Sequence, residues 1–313
     1  MTPHEGQGRL DLRSRGLDRW PALPGGFEGM TELHLDDNAL TAVPEPLRTA
    51  DDLRLLSLYR NRLESVPPWI SDLSGLRSLN LAANRLTTLP EEITDLPGLH
   101  TLDLGHNNLT ELPDSLHRLT GLDRYLYLSN NRLTTVPSTL CRLTRLRYLN
   151  ITDNHLTALP QDMGDLAALR ELRLYNNRLH TLPDSLGRLT ALREAHLMGN
   201  ALTTLPESLG NLTALRELRL MDNALTHLPR STGHLKRLRL LDLRNNHLTT
   251  LPESLSTLPQ LTHLDLRNNH LTDLPESLSH LPSLEKLDLR WNPITNWPKW
   301  FAALEQRGCA VLC

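Results

Sequence analysis

Leucine and other aliphatic residues recur along the chain in one fixed pattern. Residues 76–98, LRSLNLAANRLTTLPEEITDLPG, give the frame LxxLxLxxNxLxxLPxxLxxLxx. The asparagine of this frame recurs at Asn38, Asn61, Asn84, Asn107, Asn131, Asn154, Asn177, Asn200, Asn223, Asn246, Asn269 and Asn292. Every step is 23 residues except that from Asn107 to Asn131, which is 24. A fixed period of this length is typical of stacked repeats, and it predicts twelve full coils.

Each part of the frame predicts one element of a coil. The LxLxx segment alternates, which indicates a short strand with its leucines turned inward. Strands of successive coils are expected to stack as a parallel sheet. The asparagine follows the strand at a bend, where its amide can satisfy backbone groups that would otherwise be buried unpaired. Leu–Pro followed by Glu or Asp predicts a short helical return, with proline at the first helical position.

The frame also predicts how the chain is organised. Residues 1–8 are polar and are expected to form a disordered tail. Residues 9–313 predict a single solenoid, in which 9–29 form an N-terminal cap coil and 30–306 form the twelve coils. Residues 307–313 are expected to form a C-terminal cap strand, and no stretch remains for a second domain.

The last coil ends differently from the others. Its apolar pattern continues to Leu304, and Arg307–Gly308 then precedes the segment Cys309–Cys313. In repeat register, Ala310 and Leu312 take the inward positions of a strand. We therefore expect a short edge strand here, in place of a further full-length return.

This frame resembles that of leucine-rich-repeat proteins with 23-residue LPxxLxxL coils, such as plant intracellular Ras-group repeat proteins, Scribble-type scaffolds and bacterial cytoplasmic relatives. The resemblance covers roughly residues 9–313 and rests on twelve in-register matches. The chain departs from it at Arg15, which replaces the asparagine, at Thr232, which replaces a leucine, and at the 24-residue step. The resemblance implies an α/β solenoid, a horseshoe with a concave parallel β-sheet and short helical or 3-10 convex returns, which binds partner proteins on its concave face.

The outward positions of the predicted sheet carry all five tyrosines of the chain: Tyr59, Tyr125, Tyr127, Tyr148 and Tyr175. Met198 and Met221 continue the column of Tyr175. Tyrosine is enriched at interfaces and methionine suits adaptable surfaces, so the group predicts a partner-binding patch. Tyrosine also favours strands whatever its function, and strand propensity is the alternative explanation.

The 24-residue step lies just before two of these tyrosines. If Leu126 and Leu128 point inward like the leucines of other coils, Tyr125 and Tyr127 face outward, whereas a one-residue slip would reverse this. The extra residue is then either a bulge before the strand, which can re-aim side chains near a site, or a neutral insertion.

The outward positions of the last coils are charged, in two columns: Asp242, Asp265 and Asp288, then Arg244, Arg267 and Arg290. One interpretation is an arginine row that binds an acidic or phosphorylated segment. The favoured one is a self-neutralising ladder that keeps the sheet soluble. Trp291, just past this strand, is either an aromatic anchor for a partner or, as favoured, part of the cap packing.

Composition excludes several classes of function. A net charge of −3 and a pI near 6.5 give no footprint for nucleic acid or an anionic membrane. The N-terminus has no secretory signal, no stretch approaches the ~20 apolar residues of a membrane span, and three cysteines are too few for a disulfide framework. No zinc, phosphate-loop or GxSxG motif occurs. We therefore expect a reduced cytoplasmic protein without catalytic, cofactor or metal residues.

The leading interpretation is a bacterial cytoplasmic adaptor or scaffold that binds another protein in signal transduction, with a small GTPase or signalling enzyme suggested by the family resemblance. A regulatory, inhibitory subunit of a separately encoded enzyme is the alternative. An effector with ubiquitin-ligase activity is a remote one, because Cys141, Cys309 and Cys313 show no setting that would lower a thiol pKa. We expect a monomer, although the apolar edge strand also allows a dimer.

Overall fold

Short parallel strands alternate with short helical returns throughout the computed structural model, which describes residues 8–21 and 26–313. The chain divides into two compact units, Met1–Asn154 and His155–Cys313. The expected tail lies outside the described residues except for Gly8, whose carbonyl accepts the N–H groups of Thr31 and Glu32. The repeat architecture predicted by the frame is confirmed in both units.

Every strand in the described parts of the chain is three residues long. The first unit contains β1 to β7: Arg9–Asp11, Glu32–His34, Leu55–Ser57, Ser78–Asn80, Thr101–Asp103, Tyr125–Tyr127 and Tyr148–Asn150. The second unit contains β8 to β14: Glu171–Arg173, Glu194–His196, Glu217–Arg219, Leu240–Asp242, His263–Asp265, Lys286–Asp288 and Ala310–Leu312. Within each unit, consecutive strands pair in parallel and in order along the chain.

The middle residue of each strand points into an aliphatic core. From β2 to β13 this residue is a leucine, or Ala195 in β9, and it is at most 1% exposed. Leu79 of β4 lies opposite Leu102 of β5, for example, one repeat further on. Because successive side chains of a strand point to opposite faces, the first and third residues of each strand face outward. The inward leucines and outward polar positions are therefore those that the frame predicted.

The repeat asparagine holds each coil to the one before it. The Asn246 side chain is 2% exposed, and its amide nitrogen lies 3.0 Å from the carbonyl oxygens of Leu220 and Leu243 and 3.2 Å from that of Arg244. Its amide oxygen accepts the N–H of Leu225 at 3.0 Å. Leu220 and Leu225 belong to the preceding coil, so one amide satisfies backbone groups of two coils, as expected.

The residue before the repeat asparagine turns the chain out of the strand. In the described coils its φ is positive, for instance 54° at Asn245 and 55° at Ala83. Asparagine and aspartate tolerate this left-handed conformation better than other non-glycine residues. They fill several of these positions, and Gly199 fills another. A bulky side chain, Trp291 with φ 63°, occupies the last one.

The returns are single turns of 3-10 helix. They span Glu45–Thr49, Pro68–Asp72, Glu91–Thr94, Leu116–Arg118, Ser138–Arg142, Met163–Asp165, Asp184–Arg188, Glu207–Asn211, Arg230–His234, Glu253–Thr257 and Glu276–His280. The frame proline was expected at the first helical position but stands one residue earlier, at the helix cap, as Pro183 does. Its carbonyl accepts the first 3-10 hydrogen bond, from the N–H of Leu186 at 3.0 Å. The acidic residue after it, Asp184 in this coil, occupies the first turn as predicted.

The 24-residue coil absorbs its extra residue before the strand. Leu126 of β6 lies opposite Leu102 of β5 and is fully buried, which confirms that Tyr125 and Tyr127 face outward. Leu122 is also buried, so the insertion falls between it and Tyr125. After the strand the amide of Asn131 keeps the usual contacts, 3.0 Å to a carbonyl oxygen and 3.0 Å from a backbone nitrogen of the preceding coil. The extra residue therefore forms a bulge in the connection ahead of β6, and whether it serves a site or is a neutral insertion stays open.

The C-terminal strand forms as expected, but its predicted register is wrong. Val311 lies opposite the buried Leu287, so Ala310 and Leu312 face outward and not inward. The return before β14 is one residue longer than the 23-residue frame. It contains a true α-helix, α1 at Phe301–Gln306, which ends before Gly308 at φ 88°. This longer connection shifts the whole strand by one position, which reverses its two faces.

We expect Asn246→Ala to lower the free energy of unfolding by about 3 kcal/mol, because it leaves buried backbone groups of two coils without partners. Urea unfolding followed by circular dichroism measures the change. Asn211→Ala is the matched control, since Asn211 is exposed at the end of a 3-10 helix. Equal unfolding curves for the two variants would show that the amide contacts do not stabilise the coils.

Candidate binding face

Outward side chains form three columns along the strands of each unit. The first column holds the first residue of each strand, the second holds its third residue, and the third column holds the residue two positions later. In the first unit, Tyr125 and Tyr148 lie in the first column, Tyr127 in the second and Tyr59 in the third. In the second unit, the third column holds Tyr175, Met198, Met221, Arg244, Arg267 and Arg290.

Three tyrosines of the first unit contact one another, and we call them the tyrosine cluster: Tyr125, Tyr127 and Tyr148. The ring centroids of Tyr125 and Tyr127 are 5.8 Å apart, those of Tyr125 and Tyr148 5.5 Å, and those of Tyr127 and Tyr148 5.0 Å. The Tyr125–Tyr127 pair is stacked and the Tyr125–Tyr148 pair is edge-to-face, which are the arrangements that aromatic rings favour. Tyr125 is 44% exposed, and the other two are half-buried.

The cluster is framed by polar groups. Asp103 lies opposite Tyr127 on β5, and its carboxylate accepts the N–H of Gly105 at 3.0 Å. Burial raises the pKa of Asp103 although this hydrogen bond opposes the rise. On the other side, the Asn150 side chain accepts the N–H of Thr152 at 3.0 Å. Asp103 and Asn150 thus accept backbone N–H groups at the ends of their strands. These hydrogen bonds hold the two polar side chains that flank Tyr127 in place.

The segment that carries the extra residue holds a polar contact of its own. Asp123 lies 2.9 Å from Nδ1 of His100 and 3.6 Å from Nη2 of Arg145. Asp123 stands two residues before Tyr125, the first residue of β6.

The remaining apolar candidates are not members of the cluster. Tyr59 is 39% exposed and follows β3, so two strands separate it from β6. Tyr175, Met198 and Met221 belong to the second unit and are half-buried. The sequence pattern predicts a single patch from these residues and the cluster, and whether they share a partner stays a prediction.

The two charged columns of the second unit neutralise each other. Each arginine pairs with the aspartate two residues before it, at 2.9 Å for Arg244–Asp242, 2.6 Å for Arg267–Asp265 and 2.7 Å for Arg290–Asp288. Arginines also reach the next coil, at 3.5 Å for Arg244–Asp265 and 3.4 Å for Arg267–Asp288. This is the geometry of the self-neutralising ladder.

Asp288 is the most enclosed member of this ladder, since its side chain is 0% exposed. Burial alone would raise its pKa, but the hydrogen bond from Arg290 and the charges of Arg267 and Arg290 outweigh burial and lower the pKa. The aspartates in turn raise the pKa values of all three arginines, through side-chain hydrogen bonds first. Asp288 and the three arginines therefore stabilise each other's charged forms.

The expectation that Trp291 packs into the cap is wrong. Its side chain is 69% exposed, because the left-handed turn at this residue directs it away from the core. The guanidinium carbon of Arg290 lies 5.5 Å from its ring centroid, a cation–π contact. Whether the exposed Trp291 ring binds a partner stays a prediction.

The structure also groups three residues that sequence analysis did not single out: Glu171, Glu194 and His196. One ligand atom from each lies within 4.8 Å of the others. Glu194 and His196 are the first and third residues of β9, and Glu171 on β8 lies opposite Glu194. Comparing positions 23 apart would have found them, as Glu-x22-Glu-x-His.

The cysteines lie away from this face. Cys141 is buried in a 3-10 return and Cys309 is buried before β14, while Cys313 is exposed. Burial raises the pKa of both Cys309 and Cys313. No helix among residues 8–21 and 26–313 has the length and apolarity needed to cross a bilayer.

Comparison of the sequence with protein-family models identifies repeats along most of the chain. The model described as leucine rich repeat matches residues 28–86, 74–133, 97–156, 213–271 and 237–294. The model described as leucine-rich repeat region matches residues 134–224. No curated protein gives a significant match to the sequence.

Solved structures with similar folds include receptors and a bacterial protein. A leucine-rich-repeat protein of Leptospira interrogans is 28% identical over 96% of this chain and 94% of its own, with a TM-score of 0.53. A chain in the complex of the Arabidopsis receptor kinase HAESA with the peptide hormone IDA and a co-receptor is 27% identical, with a TM-score of 0.75. A chain of the Drosophila Toll–Spatzle complex is 25% identical, with a TM-score of 0.83. Our chain is covered to 97% in both complexes but spans only 57% and 43% of those chains.

We expect Asp288→Asn to destabilise the fold at pH 7 by ~1–2 kcal/mol, because it removes the charge that two arginines bond. The pKa of Asp288 is lowered on folding, so its stabilisation is present above the ordinary aspartate pKa and is lost as pH falls through the folded value. Urea unfolding at pH 7 and pH 2 should show a difference from wild type that shrinks at the lower pH. Asp162→Asn, at an exposed aspartate without a cap hydrogen bond, is the control. A pH-independent difference would contradict the assignment.

Proposed function

Because the chain belongs to the leucine-rich-repeat family, we propose that it is a non-catalytic binding protein that holds a partner protein against the outward face of its strands. The single observation that carries this proposal is the tyrosine cluster on β6 and β7. Proteins of this family commonly mediate protein–protein binding, and the HAESA and Toll complexes are solved with bound ligands. Those ligands belong to those proteins, and the partner of this chain is a different question.

The cluster has the properties of an interface anchor. Tyrosine offers a large rigid contact area, its ring orders at low entropic cost, and its hydroxyl supplies a hydrogen bond at the edge. The three rings already pack against one another, so little side-chain freedom is left to lose on binding. Anchors of this kind contribute most of the binding free energy when they meet a well-packed partner surface.

Strand propensity explains a single tyrosine on a sheet but not this grouping. Outward positions of β4 and β5 are filled by Ser78, Asn80, Thr101 and Asp103, which form strands without aromatic rings. The cluster is confined to the two strands after the bulge. The bulge and the cluster together favour a local binding site over a general preference of the sheet.

The biological setting belongs to the same proposal. We infer an adaptor or scaffold of the 23-residue type related to the Ras-group and Scribble-type proteins, acting in the cytoplasm of a bacterium as a monomer. Its partner on this view is a small GTPase or another signalling enzyme, and it binds neither nucleic acid nor membrane. The repeat spacing and the near-neutral net charge support this view.

An inhibitory subunit of a separately encoded enzyme is the second candidate. It would use the same cluster, so the two candidates differ only in what happens to the partner. An adaptor leaves the activity of a bound enzyme unchanged, whereas an inhibitor abolishes it at saturation. An assay of the captured partner with and without this protein separates them.

We expect Tyr148→Ala to weaken partner binding by about 2 kcal/mol, roughly 30-fold in Kd, because Tyr148 contacts both other rings and its loss loosens the whole cluster. The partner is first captured from the lysate of the source organism on the immobilised full chain, and Kd is then measured by calorimetry.

Tyr59→Ala is the comparison, since Tyr59 is an outward-facing tyrosine that lies outside the cluster. Circular dichroism establishes that both variants fold. A partner retained at full affinity by a variant with Tyr125, Tyr127 and Tyr148 all changed to Ser would move the binding site elsewhere and overturn the assignment.

A further inference from the structure

Glu171, Glu194 and His196 are brought together by strand geometry alone. Residues two apart on a strand share a face, which places Glu194 and His196 side by side. Neighbouring strands lie about 4.8 Å apart, which places Glu171 beside Glu194. Nε2 of His196 is 3.3 Å from a carboxylate oxygen of Glu194. In the described part of the chain, no other three His, Cys, Asp or Glu residues converge in this way.

The charges around this group do not cancel. Arg173 pairs with Glu171 at 2.6 Å, and Arg219 pairs with Glu217 at 3.0 Å. Three glutamates of the first column thus face two arginines of the second. Glu194 has a histidine in the place where its neighbours have an arginine. These three glutamates, two arginines and one histidine therefore carry a net charge of −1 when the histidine is neutral.

His196 presents a ring nitrogen to the two carboxylates. Its side chain is nearly buried, Nε2 lies 3.3 Å from a carboxylate oxygen of Glu194, and one ligand atom of each of the three residues lies within 4.8 Å of the others. In the tautomer that carries its proton on Nδ1, Nε2 has a free lone pair and can bind a metal ion in place of donating a hydrogen bond to Glu194.

We propose that Glu171, Glu194 and His196 bind one divalent transition-metal ion of the Zn²⁺ class. Imidazole and carboxylate donors suit Zn²⁺ and its first-row neighbours. Three protein ligands leave a coordination position open to water or to a donor from a bound partner. The three ligands belong to the second unit, and the tyrosine cluster belongs to the first.

The adjustment needed for binding is small. Ligand atoms around a tetrahedral zinc ion, with bonds of about 2.0–2.1 Å, stand roughly 3.3 Å apart. The Glu194–His196 contact already meets this spacing. Glu171 must exchange Arg173 for the metal ion, and Arg173 is partly exposed, so water can solvate it when it is released.

The first unit provides a natural control in Glu32, His34 and Asp36. Glu32 lies 3.6 Å from Nε2 of His34, whereas Asp36 lies 4.0 Å from Nδ1. The two carboxylates therefore face opposite ring nitrogens and cannot share one ion with the ring. A histidine with two acidic neighbours is present there without the convergence seen at His196.

The test is metal binding by the full chain, prepared without a polyhistidine tag and stripped with a chelator. Calorimetric titration with ZnCl₂ should show one more equivalent bound by wild type than by His196→Ala. Titration with CoCl₂ should give a visible d–d absorption band in wild type. Glu194→Gln and Glu171→Gln should each weaken Zn²⁺ binding by at least ~10-fold, while His34→Ala leaves both signals unchanged.

Two results would overturn the proposal. One is a wild-type titration that is indistinguishable from those of His196→Ala and Glu194→Gln; the other is an equal loss of signal in His34→Ala. If His196→Ala does not fold, the Glu171→Gln comparison decides the question, since Glu171 is partly exposed and its substitution is isosteric. Partner capture by the tyrosine cluster is measured separately, so failure of one proposal leaves the other standing.

Discussion

A side-chain amide between successive coils, from Asn38 to Asn292, fixes the register of the strands that precede it. The amide of Asn246 reaches carbonyl oxygens in its own coil and the one before, and it accepts a backbone N–H from that earlier coil. Backbone groups between thin stacked layers have no water to bond with, and leaving them unpaired is costly. The leucine core supplies the larger share of the burial, but an aliphatic core has no directional preference. The amide is what fixes one coil against the next in a single register.

Because the register is fixed, side chains 23 residues apart in sequence become neighbours on the sheet. Chemistry therefore gathers in columns, and each column is a surface that the chain can vary without touching the core. Three different surfaces arise in this way: the tyrosine cluster, the aspartate–arginine ladder and the group around His196. The charges of the ladder pair with one another, since each arginine forms ion pairs with one or two aspartates of the ladder. The tyrosine cluster has no such internal pairing of charges, and Tyr125 in it is 44% exposed.

The sequence predicted the repeating part of the molecule well, because one rule, inward leucine and buried asparagine, is applied again and again. It placed Tyr125 and Tyr127 outward in spite of the irregular coil. It failed where the rule stops: at Ala310 and Leu312, where an α-helix lengthens the return, and at Trp291, which a left-handed turn directs into solvent. The convergence at His196 was missed for another reason. Motif reading compares residues close in sequence, whereas this group is assembled across strands.

The bulge ahead of β6 shows which part of a coil tolerates an extra residue. The extra residue enters between Leu122 and Tyr125, and the amide contacts of Asn131 are nevertheless intact. From the strand to its asparagine there is no such freedom, because the amide bonds to fixed positions two and three residues earlier. Insertions and deletions are therefore expected to be tolerated in the segment before a strand. Between the strand and its asparagine they are expected to destabilise the coil. In the 24-residue coil the segment before the strand leads directly to Tyr125 and Tyr127, so the part of the coil that tolerates a change of length is the one that precedes the tyrosine cluster.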